Sequence, residues 1–412
     1  MPFDEPAMES MRASNAGPSV RILHVLGDSK FGGASLGILR LARYWRLLGW
    51  EVAVLATDPN FQEAAAQLDI SVIPLDVIWR RIHPLKDLCG LFRLIRFLRS
   101  QPYTIVHTHT TKAGFVGRIA ARLSSVPIVV HTAHGFAFHE GSSRLRIAFY
   151  VLLERFASWF CDKVVTVSDF HAVWGKRLGI AAAEKIQSIS NGIPDMPPQA
   201  AGRRPAIRDS LDLSRDTLML LTHGRLAPEK GLEDLLEAIA ILRSSATPKF
   251  KLFLAGAGPL EEVLRRQVRR LALEDLVSFL GFRKDTHELL IAADLVVLPS
   301  WREGLSIALL ESMAAGCAIV TTSIGPNREP TRDGKCAWLV PPKCPKKLAA
   351  AIETLLKDAE LRRHYGALAR TAFEETYFLD RMLQGYEQLY RTLLEEKEIA
   401  FSVPALQPSH HR

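Results

Sequence analysis

Leu295-Val-Val-Leu-Pro-Ser-Trp-Arg-Glu-Gly-Leu-Ser-Ile-Ala-Leu-Leu-Glu311 is the stretch whose reading decides the fold. An apolar run, Leu295–Pro299, passes through a short polar turn into an amphipathic segment over 304–315. That is a strand feeding a helix, the repeating unit of a parallel sheet. The alternation continues on both sides of it. Before it, the pattern predicts strands at Arg21–Leu26, Glu51–Ala56, Ile70–Ile73, Ile105–Thr108, Ile128–His131, Lys163–Val167 and Ile186–Ile189. Helical stretches fall between them at Ala34–Leu48, Leu85–Arg99, Lys112–Leu123 and Arg144–Phe160. Around the quoted stretch, strands at Leu218–Thr222, Lys251–Ala255, Val277–Leu280 and Ala318–Thr321 interleave with helices at 231–243, 259–271 and 285–292. Helices at 345–357, 359–375 and 378–396 close the chain. The fold class is α/β, with two doubly wound Rossmann-like domains in tandem. A ligand cleft is expected between the carboxyl ends of their sheets.

A length of 412 residues suits two cores better than one. The predicted layout is a disordered extension over 1–18, an N-terminal domain over 19–195 and a linker over 196–209. A C-terminal domain follows over 210–376, then a helix over 377–396 that returns to the first domain and a flexible tail over 397–412. Net charge is +8, and residues 1–200 carry most of it, with 22 Lys/Arg against 16 Asp/Glu. That excess suits phosphate-bearing ligands or an anionic membrane surface. No aromatic-interleaved basic stripe is present, which argues against nucleic acid. Five scattered cysteines without CxxC spacing argue for a reducing compartment and against a zinc site. The acidic N-terminus does not read as a signal peptide, and no run of about 18 apolar residues exists. The expected location is the cytoplasm, with peripheral attachment to a membrane open. Residues 79–102 carry Leu88, Leu91, Phe92, Ile95 and Leu98 as one stripe beside Lys86, Arg93, Arg96 and Arg99. This is either a helix lying on an anionic membrane or one packed on the sheet with a solvated basic face.

Within the quoted stretch, Glu303 and Glu311 stand eight residues apart. If both were helical, the separation would be roughly 12 Å at under a quarter turn of offset. Two carboxylates so placed can grip two hydroxylated parts of one extended ligand, with free helix N–H groups for an anion between them. A nucleotide sugar has that anatomy; two solvated glutamates on a surface helix are the plainer alternative. Gly224-Arg-Leu-Ala-Pro-Glu-Lys-Gly231 follows a strand and opens a helix. It brings Arg225 and Lys230 to a helix N-terminus, a diphosphate clamp or simply a basic turn. Phe31-Gly-Gly-Ala34 and Gly256-Ala-Gly-Pro259 lack the GxGxxG spacing, which argues against a nicotinamide cofactor. His107-Thr-His109 and His131-Thr-Ala-His134 end neighbouring strands. HxH can begin a metal site, but no carboxylate partner is evident and no metal is assigned. Hydrogen-bonded histidines, some lining an acceptor pocket, account for the motif, and His107, His109 and Lys112 stand as acceptor-side candidates.

Taken together, these motifs resemble the family 4 retaining glycosyltransferases of the GT-B fold, over roughly residues 20–395. The likeness rests on Glu303-x7-Glu311 and GRLAPEKG, supported by the Gly-Gly turn, His134-Gly135 and Ser190-Asn-Gly-Ile193. HTHTTKAGFVGR (107–118) and HTAHGFAFHE (131–140) resemble members acting on lipid-linked sugars in bacterial surface-polysaccharide assembly. The resemblance implies a nucleotide-sugar donor, UDP being the expected nucleotide, and a lipid-linked or oligosaccharide acceptor. It implies that Gly224, Arg225 and Lys230 hold the donor diphosphate and that Glu303, with Gly304, Leu305 and Ser306, orients the sugar. Glu311 would hold the ribose and Phe282 with Arg283 would bound the base. His134 would sit by the sugar and Gly33 near the diphosphate or acceptor. His134, Glu303, Arg225 and Lys230 form the expected catalytic set, with no cofactor and no divalent metal. A sugar-nucleotide 2-epimerase of the same fold, or a non-catalytic nucleotide-sugar-binding subunit, remains the alternative.

Overall fold

The computed structural model describes residues 20–28, 31–79, 83–196 and 202–401. The predicted extension at 1–18 and most of the predicted tail, from 402 on, lie outside these residues, as do 197–201 of the predicted linker. The chain divides into two compact units. The first unit runs up to Ser190 and takes in the chain again from Met382; the second is Asn191–Arg381.

The first unit is built on seven parallel strands: β1 (Arg21–Gly27), β2 (Glu51–Ala56), β3 (Ser71–Ile73), β4 (Ile105–His109), β5 (Ile128–Ala133), β6 (Lys163–Thr166) and β7 (Ile186–Ser188). Their spatial order is β3-β2-β1-β4-β5-β6-β7, so the winding reverses between β1 and β4. Helices at Gly33–Leu47, Pro84–Arg99, Thr111–Leu123 and Arg144–Ser158 make the crossovers. Leu23, Val25, Val106 and Val129 form the core with Leu94 and Leu98 of the helix at Pro84–Arg99. Strands covered on both faces read as continuous apolar runs. β4 and β5 depart from this, because His107, Thr108, His109, His131 and Thr132 are all buried within them.

The second unit repeats the plan with β8 (Leu218–His223), β9 (Phe250–Ala255), β10 (Val277–Gly281), β11 (Leu295–Leu298), β12 (Ile319–Thr322) and β13 (Trp338–Val340). Their order, β10-β9-β8-β11-β12-β13, reverses between β8 and β11. The three-residue β13 is too short to carry a period and was absent from the sequence pattern. Helices at Pro59–Ala66, Asp169–Leu178, Arg204–Asp209 and Gly325–Arg328 likewise add to the predicted set.

One correction concerns the connections. Part of the predicted linker is structured: the helix Arg204–Asp209 is fixed to the second unit by its arginines. Arg204 donates to Asp294 Oδ1 at 2.6 Å and Arg208 to Asp294 Oδ2 at 3.0 Å, while Met219 N donates to the same Oδ2 at 2.7 Å. The helix Leu379–Glu396 begins beside Ile193, which accepts from Leu379 N at 2.8 Å and donates to Tyr377 O at 3.0 Å. Farther along, its Tyr386 and Tyr390 are buried in the first unit.

The Asp294 network yields a stability prediction. Asp294→Ala strands the Arg208 guanidinium, which is only 10% accessible, without its carboxylate. Loss of one partner from such a pair costs about 3–5 kcal/mol. Urea titration of the variant should lower the unfolding midpoint accordingly, whereas Arg203→Ala, an exposed pair, should leave it nearly unchanged.

Candidate active site

In doubly wound sheets, ligands bind at the carboxyl ends of the strands where the winding reverses. In the second unit that place lies beyond β8 and β11. β8 ends in His223, followed by Gly224; β11 ends at Leu298, followed by Pro299 and Ser300. The two loops lock onto each other. Trp301 N donates to Glu229 O at 2.8 Å, and Trp301 Nε1 donates to Asp234 Oδ2 at 2.6 Å. Gly231 lies at the seam with φ +63, and a Cβ there would stand 2.1 Å from Pro299 O. Glycine is therefore required twice over, by backbone conformation and by space.

This docking delivers Lys230 to Glu303. Their Nζ and Oε1 atoms are 2.7 Å apart, and Ser300 Oγ donates to the same oxygen at 2.7 Å. The pair is largely shielded, at 24% and 10% side-chain accessibility. Gly224, Arg225, Lys230, Glu303 and Ser306 all line one pocket. Arg225 has no hydrogen-bond or ion-pair partner among the described residues and leaves that pocket with an uncommitted cation. A broader groove around Asp212, Arg243 and Lys249 lies at the amino ends of β8 and β9, the edge where this fold does not bind ligands.

The helical spacing expected for the two glutamates is corrected. The helix starts only at Ile307, with Ser306 as its cap, its hydroxyl accepting from Leu309 N at 3.3 Å. Glu303 thus belongs to the preceding loop, along with Gly304 and the buried Leu305, and Glu311 to the helix. Gly304 and the Ser306 cap break the helix before it reaches Glu303. Glu311 Oε2 lies 3.4 Å from His223 Nδ1, whose other nitrogen is 3.1 Å from Ser312 Oγ. Burial, reinforced by Lys230, pulls the His223 imidazole down to about 4. The ring is neutral near pH 7, so its approach to Glu311 is a polar contact and not an ion pair. His223 and Ser300 are additions that the sequence pattern did not single out; their one signal is position, His223 ending β8 beside Gly224 and Ser300 lying in the loop between β11 and Glu303. Phe282 and Arg283 do not join the pocket. Phe282 is exposed, and Arg283 Nε is held by Asp285 at 2.7 Å.

In the first unit, Gly32 and Gly33 open the helix Gly33–Leu47 without a side-chain cap. His134 follows β5 directly. Its Nε2 lies 3.1 Å from His109 Nδ1, and His109 Nε2 lies 3.0 Å from His24 Nδ1 on β1. The acceptor-side expectation for His107 and His109 is corrected: both rings are buried, at 0% and 1% exposure. His107 Nε2 is bound to Thr132 Oγ1 at 2.7 Å and its Nδ1 to the Tyr390 hydroxyl. Alternation on β4 puts the two rings side by side, but inward, where Thr132 and Tyr390 satisfy His107 and His24 and His134 satisfy His109. Lys112, the third candidate, is paired with Asp87 at 2.7 Å. Ring nitrogens of His24, His107 and His109 lie within 4.8 Å of one another, a grouping that can hold a metal ion. No carboxylate or cysteine joins it among the described residues.

Comparison with known proteins now bears on this arrangement. The model for "Glycosyl transferases group 1" matches residues 203–372, and that for the "Glycosyl transferase 4-like domain" matches residues 32–192. The chain belongs to the glycosyltransferases. The enzyme is 24% identical over 386 residues to the capsular polysaccharide biosynthesis glycosyltransferase CapM of Staphylococcus aureus, covering 92% of this chain and 98% of CapM. It is 32% identical over 252 residues to the UDP-Gal:alpha-D-GlcNAc-diphosphoundecaprenol alpha-1,3-galactosyltransferase of Escherichia coli, covering 60% of this chain and 65% of that one. Among solved structures, Anabaena HepE in complex with UDP and glucose superposes with a TM-score of 0.77 at 23% identity, covering 90% of this chain and 100% of HepE. That likeness establishes the GT-B fold for this glycosyltransferase.

Two predictions follow from the site. Gly231→Ala should separate the two loops and lower turnover by more than tenfold, while costing over about 1 kcal/mol of stability because alanine resists positive φ. Steady-state assay and urea titration of the same preparation read both. The second concerns acid. Burial holds His24 at about 3 and His134, His171 and His223 at about 4, against 6.5 in the unfolded chain. Below pH 6.5 the unfolded state binds more protons than the folded one, so stability present above that pH is lost as it falls toward 4. Urea midpoints should decline steadily from pH 7 to pH 4.5. A flat profile over that range would contradict the neutral, buried rings.

Proposed function

We propose that this glycosyltransferase is a family 4, retaining enzyme. In this reading it transfers a hexosyl group from a UDP-sugar to a lipid-linked or polysaccharide acceptor in bacterial cell-surface glycan assembly. The observation that carries the reading is the Lys230–Glu303 pair, held together with Arg225 in one pocket at the reversal of the second sheet. Arg225 and Lys230 neutralise the diphosphate as it departs, and the N-terminus of the helix Ile307–Ala314 adds its partial positive charge. Glu303 orients a sugar hydroxyl while Lys230 and Ser300 keep its carboxylate fixed. Glu311 holds the ribose. Charge development is met entirely by these groups, so the chemistry proposed needs no divalent ion. His134 keeps the role that the family resemblance implies, a contact to a sugar substrate.

The proposal extends to the membrane face, where a lipid-linked acceptor resides. Among the described residues no helix is long and apolar enough to cross a membrane. Leu85, Leu88 and Phe92 on the helix Pro84–Arg99 are exposed, as are Leu145, Phe149 and Leu152 on the helix Arg144–Ser158, with Trp159 just beyond it. Both helices belong to the first unit, and Arg144, Arg146, Arg93 and Arg96 flank these side chains. Exposed apolar groups ringed by cations suit an anionic bilayer surface.

The decisive test is nucleotide release from UDP-, GDP- and ADP-sugars in the presence of polyprenyl-linked acceptor. Lys230→Ala and Glu303→Ala should each lower turnover about 10²-fold or more. Glu311→Gln should mainly raise the donor KM. Activity retained in both alanine variants would sink the site assignment, and inversion at the anomeric carbon, read by NMR of the product, would sink the mechanism. Phe92→Ser with Phe149→Ser should weaken co-sedimentation with phosphatidylglycerol vesicles several-fold. Unaltered binding would remove the membrane contact.

A further inference from the structure

The chain of histidines in the first unit has a property that its geometry fixes. His24, His109 and His134 are linked end to end by two ring-to-ring hydrogen bonds, 3.0 and 3.1 Å long. Only the two terminal nitrogens, His24 Nε2 and His134 Nδ1, are buried without a partner. Burial lowers the proton affinity of all three rings, so each is neutral and carries one N–H. Each link needs one hydrogen, neither two nor none. If His109 carries its hydrogen on Nδ1, it donates to His134 Nε2 and accepts from His24 Nδ1, and all three rings are Nδ1–H. If it carries it on Nε2, it donates to His24 Nδ1, and all three are Nε2–H. No mixed state satisfies both links.

The two states differ only at the ends. In the Nε2–H state an N–H is orphaned on His24, which is 0% exposed in the core between β2 and β4. His107 stands beside it, with ring centroids 5.2 Å apart, but both its nitrogens are already committed to Tyr390 and Thr132. In the Nδ1–H state the buried orphan is a bare acceptor, and the N–H appears instead on half-buried His134 at the end of the sheet. An unpaired buried N–H is the rarer and costlier defect. We propose that His24 and His109 are positioning residues that lock His134 in its Nδ1–H tautomer, so that this ring meets its ligand as a hydrogen-bond donor to a sugar oxygen and not as a base.

The tautomer assignment stands on the hydrogen-bond geometry and the burial of the rings; its consequence for turnover rests on the function proposed above. Imidazole 15N labelling of the full-length protein reads the first directly, through long-range 1H–15N correlations at pH 7.5. Three rings with protonated Nδ1 and unprotonated Nε2 are expected. Three Nε2–H rings would overturn the proposal, and so would stoichiometric zinc whose binding abolishes the ring-to-ring couplings. His24→Asn, whose amide can stand where Nδ1 stands, should keep His134 as Nδ1–H and keep turnover. His109→Leu, which removes the donor to His134 Nε2, should leave His134 as a tautomeric mixture and lower turnover about tenfold, with donor KM little changed. Unchanged tautomers in His109→Leu would overturn the positioning role. If the wild-type rings are Nδ1–H but His134→Ala turns over normally, the tautomer assignment survives and the proposed contact of His134 with a sugar falls.

Discussion

The second unit depends on how closely two loops approach beyond β8 and β11. A parallel sheet that reverses its winding sends successive helices to opposite faces and leaves a gap between the loops at the reversal. Here Trp301 closes that gap from one side by bonding Glu229 and Asp234, and Gly231 permits it from the other by carrying no Cβ. Only because the backbones meet do Lys230 and Glu303, 73 residues apart in sequence, share a hydrogen bond. A charged pair held this way is preorganised. Its lysine needs no rearrangement to face a departing phosphate, and its glutamate is aimed before a sugar arrives.

The first unit solves a different problem. Strands β1, β4 and β5 lie in the interior of a parallel sheet, where polar groups are costly. Yet they carry five buried imidazole or hydroxyl side chains on β4 and β5 alone, and His24 on β1. The cost is offset by mutual satisfaction: His107 with Thr132 and Tyr390, His131 with Thr108, His109 with His24 and His134. Such a network is specific, because each ring admits few arrangements once its neighbours are fixed. It also draws on Tyr386 and Tyr390 from the far end of the chain, so the helix Leu379–Glu396 completes this core.

Much of this was legible in the residues. Twelve strands and most long helices were visible from apolar runs of period and length, and the fold class with them. The elements that were not visible have different causes. β13 has three residues, and the helix Gly325–Arg328 has four, too few to express a period. The helix Arg204–Asp209 sits in a Pro- and Gly-rich stretch and is stabilised by Asp294, a tertiary partner outside any local window. His24 gave no signal, since a lone histidine on an apolar strand looks the same whether it is satisfied by one neighbour or by a chain of them.

The sequence by itself determined the two doubly wound sheets, the turn that carries Arg225 and Lys230, and the amphipathic segment that carries Glu311. Those follow from short-range rules: strand and helix periods and glycine at turns. Tertiary structure alone decided which of those groups touch. It joined Lys230 to Glu303, set His223 against Glu311, turned His107 and His109 inward, and placed Phe282 and Arg283 away from the pocket. The reason is that side-chain direction at a loop depends on the packing of the neighbouring loop, and that neighbour is distant in sequence.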